Sequence, residues 1–156
     1  MTTSTPERIR LTRIFRFETA HALLNYDGAC RNIHGHSYKL EVTVSGAPIN
    51  NSENPKNGMV HDFGDLKKLV EEKVIKDFDH ALLLNQSTSA EIIEPLQKHY
   101  EKVLLLSYQP TSELMLLDIK NRILPALAPE IALCRLKLSE TENSYAEWLA
   151  TDNNQV

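Results

Sequence analysis

Three histidines and one cysteine carry the chemistry that can be read directly from this chain. His34 and His36 stand at i, i+2 in an alternating segment, so both imidazoles leave the same face of a strand. His21 ends an upstream segment of like pattern, and Cys30 stands four residues before His34. Three neutral imidazoles suit zinc, and three protein ligands leave the fourth tetrahedral position open for water or substrate. An open position implies Lewis-acid chemistry rather than a structural staple. A thiol beside a dication is acidified, so Cys30 could serve as base, nucleophile or ligand; the plainer alternative is a small buried hydrophobe.

Other polar residues need an account. Asp79-His80 follows a helical pattern, and such a pair could shuttle a proton or tune a thiolate. From spacing alone, helix capping by His80 is the simpler explanation. Glu113 falls in the first turn of a second helix, where the helix dipole accounts for a carboxylate. Glu140 ends an apolar strand face. It could grip paired N–H donors, as on a guanidine or a 2-aminopyrimidinone edge, or simply mark a solvated strand end. Cys134 reads as a small buried residue on its strand, and His61 and His99 receive no role.

The elements that must position these residues follow from periodicity. Residues 8–21 read as a strand with Ile9, Leu11, Phe15, Phe17, Thr19 and His21 on one face and Arg13 out of character. Residues 34–46 form a second strand, antiparallel to the first, with His36, Tyr38, Leu40, Val42 and Val44 on its apolar face. A turn-rich loop covers 47–58. Asp62 is the expected N-cap of a helix to about Lys76, with Phe63, Leu66, Leu69, Val70 and Val74 as its stripe. Residues 90–102 read as a short helix and 103–108 as a strand. Pro110 and Thr111 open a helix with a stripe of Leu116, Ile119, Ile123 and Leu127, limited by Pro125 and Pro129. Residues 131–141 alternate, with Ala132, Cys134, Leu136 and Leu138 on one face, and 143–150 add a last strand. The expected architecture is α+β, with two helices on one face of a four-stranded antiparallel sheet.

Composition narrows the function classes. The 156 residues suit one domain, here 8–150, with polar tails at 1–7 and 151–156. A formal charge of −4 gives no support for nucleic-acid binding, so any phosphate must be held by local cations. No apolar run has membrane-spanning length, and the start lacks a signal-peptide pattern. Two cysteines, Cys30 and Cys134, fit free thiols in a cytoplasmic protein better than a disulfide framework.

Six stretches taken in order resemble the 6-pyruvoyltetrahydropterin synthase / 6-carboxytetrahydropterin synthase family. They are residues 15–21, 30–38, 58–67, Asp79-His80, Pro110-Thr111-Ser112-Glu113 and Ser139-Glu140-Thr141. The resemblance implies the tunnelling T-fold, with His21, His34 and His36 as zinc ligands and Cys30 as catalytic thiolate. Asp79 and His80 would complete the proton-transfer group. Glu140, helped by Thr111, Ser112 and Glu113, would anchor a pterin ring. It also implies homo-trimers or hexamers with interfacial active sites, and 7,8-dihydroneopterin triphosphate as substrate. The C-x3-H-x-H spacing is similar to that of the 6-carboxy branch, which makes 6-carboxy-5,6,7,8-tetrahydropterin for queuosine and other deazapurines. The pyruvoyl branch would eliminate triphosphate without losing carbon.

The chain departs from the family pattern in three places. Ala22 stands where Arg is common, residues 86–109 form a longer segment, and residues 1–8 extend the start. Readings of other classes are a non-catalytic zinc scaffold, which would normally want four protein ligands, and a zinc hydrolase indifferent to Cys30.

Overall fold

The computed structural model describes residues 6–153; the remaining parts of the two expected tails, 1–5 and 154–156, lie outside the described residues. The first two strands, β1 (Ile9–His21) and β2 (His34–Gly46), form one long antiparallel hairpin. Its register pairs Phe15 with Leu40, Phe17 with Tyr38, and His21 with His34. Every second residue therefore falls on one apolar face, and a slip of one would expose them all. Arg13, the exception, holds its guanidinium over the Phe15 ring and donates to the Phe63 carbonyl at 3.1 Å. Its aliphatic stem can cover apolar surface while the charge stays at the edge.

Helix α1 (Phe63–Val70) is capped by Asp62, whose carboxylate accepts from the Gly64 N–H at 2.6 Å. It continues through a π-helical turn, Glu71–Ile75, into a last turn, α2 (Lys76–Phe78). Leu66, Val70, Val74 and Phe78 are fully buried at a spacing of four, whereas Phe63 in the first turn stays exposed. An α-helix turns about 100° per residue, so a spacing of four overshoots by about 40° each time. The wider π turn winds more slowly and takes up that drift.

Helix α4 (Ser112–Ile123) is the second cover of the same face, with Met115, Leu116, Ile119 and Ile123 buried. It passes into a 3-10 turn at Leu124–Ala126 containing Pro125. Strands β5 (Ala132–Ser139) and β6 (Tyr145–Leu149) extend the sheet beyond β2 in antiparallel fashion. The expected alternation breaks at a β-bulge opposite Thr43/Val44. Leu133 pairs with Val44 and is buried, so Cys134 is displaced from the core face and becomes half-exposed. One extra residue changes the parity of everything before it.

With two further strands, β3 (Ala81–Asn85) and β4 (Val103–Leu106), the sheet has six strands in the order β4-β3-β1-β2-β5-β6, not four, and it is mixed, not antiparallel. Strand β3 lies parallel to β1, and β4 parallel to β3. Parallel neighbours need a crossover, which the segment 86–109 supplies as α3 (Ala90–His99). Ala81 and Leu83 join the main core, while Leu82 and Leu84 point to the opposite face. There Leu82 and Leu96 line one groove, and Leu84 and Ile92 another, so α3 covers the side opposite α1 and α4. Tyr145–Leu149 is followed by a 3-10 turn at Ala150–Asn153, where the Asn153 amide donates to the Leu149 carbonyl at 2.8 Å. No helix among the described residues is long and apolar enough to cross a membrane.

Candidate metal centre and active-site cleft

The hairpin register brings His21, His34 and His36 together where the apolar face of β1 and β2 runs out. His21 is opposite His34, and His36 is opposite Thr19, so all three rings emerge beyond the Phe17–Tyr38 stack. One donor atom from each ring lies within 4.8 Å of the others. His21 is only 2% exposed, and His34 and His36 are half-buried.

Hydrogen bonding fixes how two of these rings face each other. His21 Nδ1 lies 2.7 Å from the Pro110 carbonyl, and His34 Nδ1 lies 2.8 Å from the Asn32 carbonyl. A carbonyl only accepts, so in each ring Nδ1 carries the proton and Nε2 keeps its lone pair. The two Nε2 atoms stand 3.1 Å apart. Two lone pairs that close repel unless a cation lies between them. Nitrogens about 2.0–2.1 Å from a tetrahedral zinc ion would lie roughly 3.3 Å apart, so this spacing fits a shared metal. Carbonyls holding Nδ1–H are the usual outer support of ligating histidines. Burial lowers the His21 pKa, which favours the neutral, ligating form.

Beside the triad a cleft of about 350 Å³ is lined by His21, Cys30, Thr111, Ser112, Glu113 and Glu140, among others. Cys30 is free and half-buried in a short 3-10 turn, Ala29–Arg31. Its loop is folded back on itself by Leu23 N–H donating to the Cys30 carbonyl at 3.0 Å. The Gln109 amide pins the same loop, accepting from Leu24 N–H at 3.1 Å and donating to the Leu24 carbonyl at 2.7 Å. Thr111 caps α4 through its hydroxyl, which accepts from Leu114 N–H at 3.4 Å. The Ser112 hydroxyl is buried without a partner. An unmatched polar atom inside a cleft is a group that a ligand can satisfy.

Glu140 lies just past β5 and is half-buried, not a fully solvated strand end. The fully buried Tyr38 donates its hydroxyl to Glu140 Oε1 at 3.3 Å. Burial first, then the Glu140 charge, raises the Tyr38 pKa far above its ordinary range, so the phenol remains a donor. Tyr38 escaped the sequence reading, although a tyrosine on a core strand face needs a partner for its hydroxyl. The Pro110 and Asn32 carbonyls left no sequence signal, since backbone acceptors are common to every residue.

Asp79 and His80 lie elsewhere. They form a pair with Asp79 Oδ1 and His80 Nδ1 3.0 Å apart, made possible by a left-handed His80 backbone with φ of 57°. His80 thus does not cap its helix with its ring. Partial burial pushes Asp79 upward, but the Glu18 N–H at 2.9 Å, His80 and Lys102 more than offset this and lower its pKa. His80 lines a groove of about 960 Å³ with Glu18, Ala20, Ser37 and His99, whereas the cleft containing Cys30 has a different lining. His80 has a 77% exposed side chain. Within one chain the structure therefore gathers all ten candidate residues at one end of the β1–β2 hairpin but keeps Cys30 and His80 in separate clefts: the triad, Cys30, Glu140 and the α4 start on one side, and on the other the Asp79-His80 turn, in a groove that His36 also lines.

Comparison with known proteins gives concordant results. Residues 10–150 match the family model described as 6-pyruvoyl tetrahydropterin synthase. A Rickettsia bellii protein named 6-carboxy-5,6,7,8-tetrahydropterin synthase is 37% identical over 142 residues, covering 89% of this chain and 99% of that protein. A Haemophilus influenzae protein of the same name is 33% identical, covering 89% and 97%. The solved Caenorhabditis elegans 6-pyruvoyl tetrahydropterin synthase shares the fold with a TM-score of 0.61 at 23% identity, covering 92% of this chain and 96% of that one.

Proposed function

The chain belongs to the 6-pyruvoyl tetrahydropterin synthase family, and from that premise we propose that it converts 7,8-dihydroneopterin triphosphate to 6-carboxy-5,6,7,8-tetrahydropterin. Triphosphate and acetaldehyde are the other products, one water is consumed, and the ring is reduced at the expense of the side chain without an external nicotinamide. The observation that carries the reading is the facing pair of His21 and His34 Nε2 atoms at 3.1 Å, beside a cleft that holds both a free cysteine and a carboxylate. The names of the relatives and the C-x3-H-x-H spacing favour the 6-carboxy branch, with a role in deazapurine biosynthesis.

His21, His34 and His36 would hold zinc, which when bound supplies a Lewis acid for the hydroxyls of the substrate side chain. Glu140, held by Tyr38, accepts from the amino and ring N–H groups of the pterin, and the Ser112 hydroxyl and the start of α4 face the same ring. Cys30 as thiolate takes a proton from a side-chain carbon, and the Asp79-His80 pair exchanges protons with the side-chain oxygens. Since His80 and Cys30 line separate clefts in one chain, the pair acts on the site of a neighbouring subunit in a trimer or hexamer. The active unit is then a single domain, 8–150, repeated around a symmetry axis, in a cytoplasmic enzyme with no nucleic-acid or membrane partner.

The test is an anaerobic incubation of reduced, zinc-loaded protein with 7,8-dihydroneopterin triphosphate. Triphosphate, acetaldehyde and pterin are measured together. Equimolar acetaldehyde and 6-carboxy-tetrahydropterin is the expected result. Triphosphate released without acetaldehyde would place the chain in the pyruvoyl branch, and no turnover would overturn the reading.

A further inference from the structure

The Asp79-His80 turn is braced from two sides. On one side β1 holds it: Glu18 N–H donates to Asp79 Oδ1 at 2.9 Å, and His80 N–H donates to the Glu18 carbonyl at 2.6 Å. The Thr19 hydroxyl donates to the Phe78 carbonyl at 2.6 Å, fixing the residue before the turn. These contacts orient the backbone, yet His80 still adopts a left-handed conformation that is strained for a non-glycine residue. Such a conformation persists only where its surroundings hold it.

On the other side stands Lys102, immediately before β4 and thus part of the long segment 86–109. Its ammonium donates to the Lys76 carbonyl at 2.7 Å and to the Asp79 carbonyl. The first of these is a carbonyl at the end of the helix, where acceptors have no partner further along the chain. The second belongs to the peptide that links Asp79 to His80. A single cation thus joins the helix end to the catalytic peptide, and the Lys102 carbonyl in turn accepts from Leu82 N–H at 2.9 Å, which ties it to β3. Lys102 also lines the groove beside His80.

We propose that Lys102 is a positioning residue, through which the α3–β4 unit sets the orientation of the Asp79-His80 pair for proton transfer. The inference rests on the proton-transfer reading of that pair given above. Lys102 acts through the Asp79 carbonyl and does not itself touch substrate.

The test compares K102M, K102R, H80Q and the K102M/H80Q double variant in zinc-loaded protein, with 7,8-dihydroneopterin triphosphate as substrate. Thermal midpoint and zinc content are followed alongside kcat and KM. K102M is expected to lower kcat roughly tenfold with KM and zinc content unchanged, as a misplaced catalytic group does. K102R, which keeps a donor there, should recover most of the loss. In the H80Q background the same substitution should have no further effect, because the group it positions is gone. A K102M enzyme with normal kcat beside a crippled H80Q would overturn the inference while leaving the proton-transfer reading intact. Normal kcat in H80Q would overturn both. A K102M defect seen in thermal midpoint and KM, or one fully additive with H80Q, would reduce Lys102 to a structural prop and overturn the inference.

Discussion

The two histidine-bearing regions of this protein are built on opposite principles. The triad sits at the end of a long hairpin, where strand register alone aligns His21 with His34 and sets His36 two residues further on. Each of the first two rings is then locked by a carbonyl. His80 instead hangs from a two-residue turn, 77% exposed, with its backbone held but its ring free except for Asp79. The first region draws all three of its rings from the two strands of one hairpin. The second is held through its backbone, and its ring faces a separate groove away from Cys30. Strand register can align rings by itself, whereas a ring on a turn depends on what braces the turn.

The contrast can be broken most severely by removing a ligand or the thiol. H34A should lose zinc and about three orders of magnitude of activity, and C30A a similar factor of activity with zinc retained. Metal analysis beside turnover separates the two, and full zinc occupancy in H34A would remove His34 from the metal centre. A smaller effect sharpens the subunit question. C30A and H80Q proteins, each nearly inactive, should regain activity when unfolded together and refolded as mixed oligomers, at roughly a quarter of sites by random assortment. No recovery in verified mixed oligomers would return both residues to one chain. The smallest effect concerns protonation of the metal-free protein. Burial lowers the His21 pKa, so the folded chain resists a proton that the unfolded chain takes up near pH ~6.5. This contribution to stability is complete above about pH 6.5 and is lost as pH falls through the folded value. The metal-free wild type should therefore lose a few degrees of thermal midpoint on acidification, more than H21Q; equal slopes would show that His21 is not the group responsible.

The hairpin and its histidines were legible in the sequence because a strand has a period of two and the apolar residues keep it from Phe15 to His21 and from His36 to Val44. The Asp62 cap, and the opening of α4 at Pro110-Thr111, were legible for a similar local reason. What was lost depends on residues far apart. The short run Ala81–Asn85 gives no sign of which strand it will join: its parallel pairing with β1 spans β2 and the first helix, and its pairing with β4 spans α3. Cys134 fell on the wrong face because a bulge shifts parity without changing composition. The separation of His80 from Cys30 follows from which side of the sheet each connection leaves, and periodicity does not encode that.

The π turn at Glu71–Ile75 bears on how relatives of different length can share this site. With one residue fewer there, Leu66, Val70, Val74 and Phe78 would fall at the spacing of an ordinary α-helix, i, i+4, i+7, i+11, and still form one row against the sheet. A π turn is thus where a one-residue insertion is absorbed, so the count between Asp62 and Asp79 is free to differ by one while the turn that bears His80 stays beside Glu18. A single-residue length difference between Asp62 and Asp79 is therefore expected to fall within those five residues.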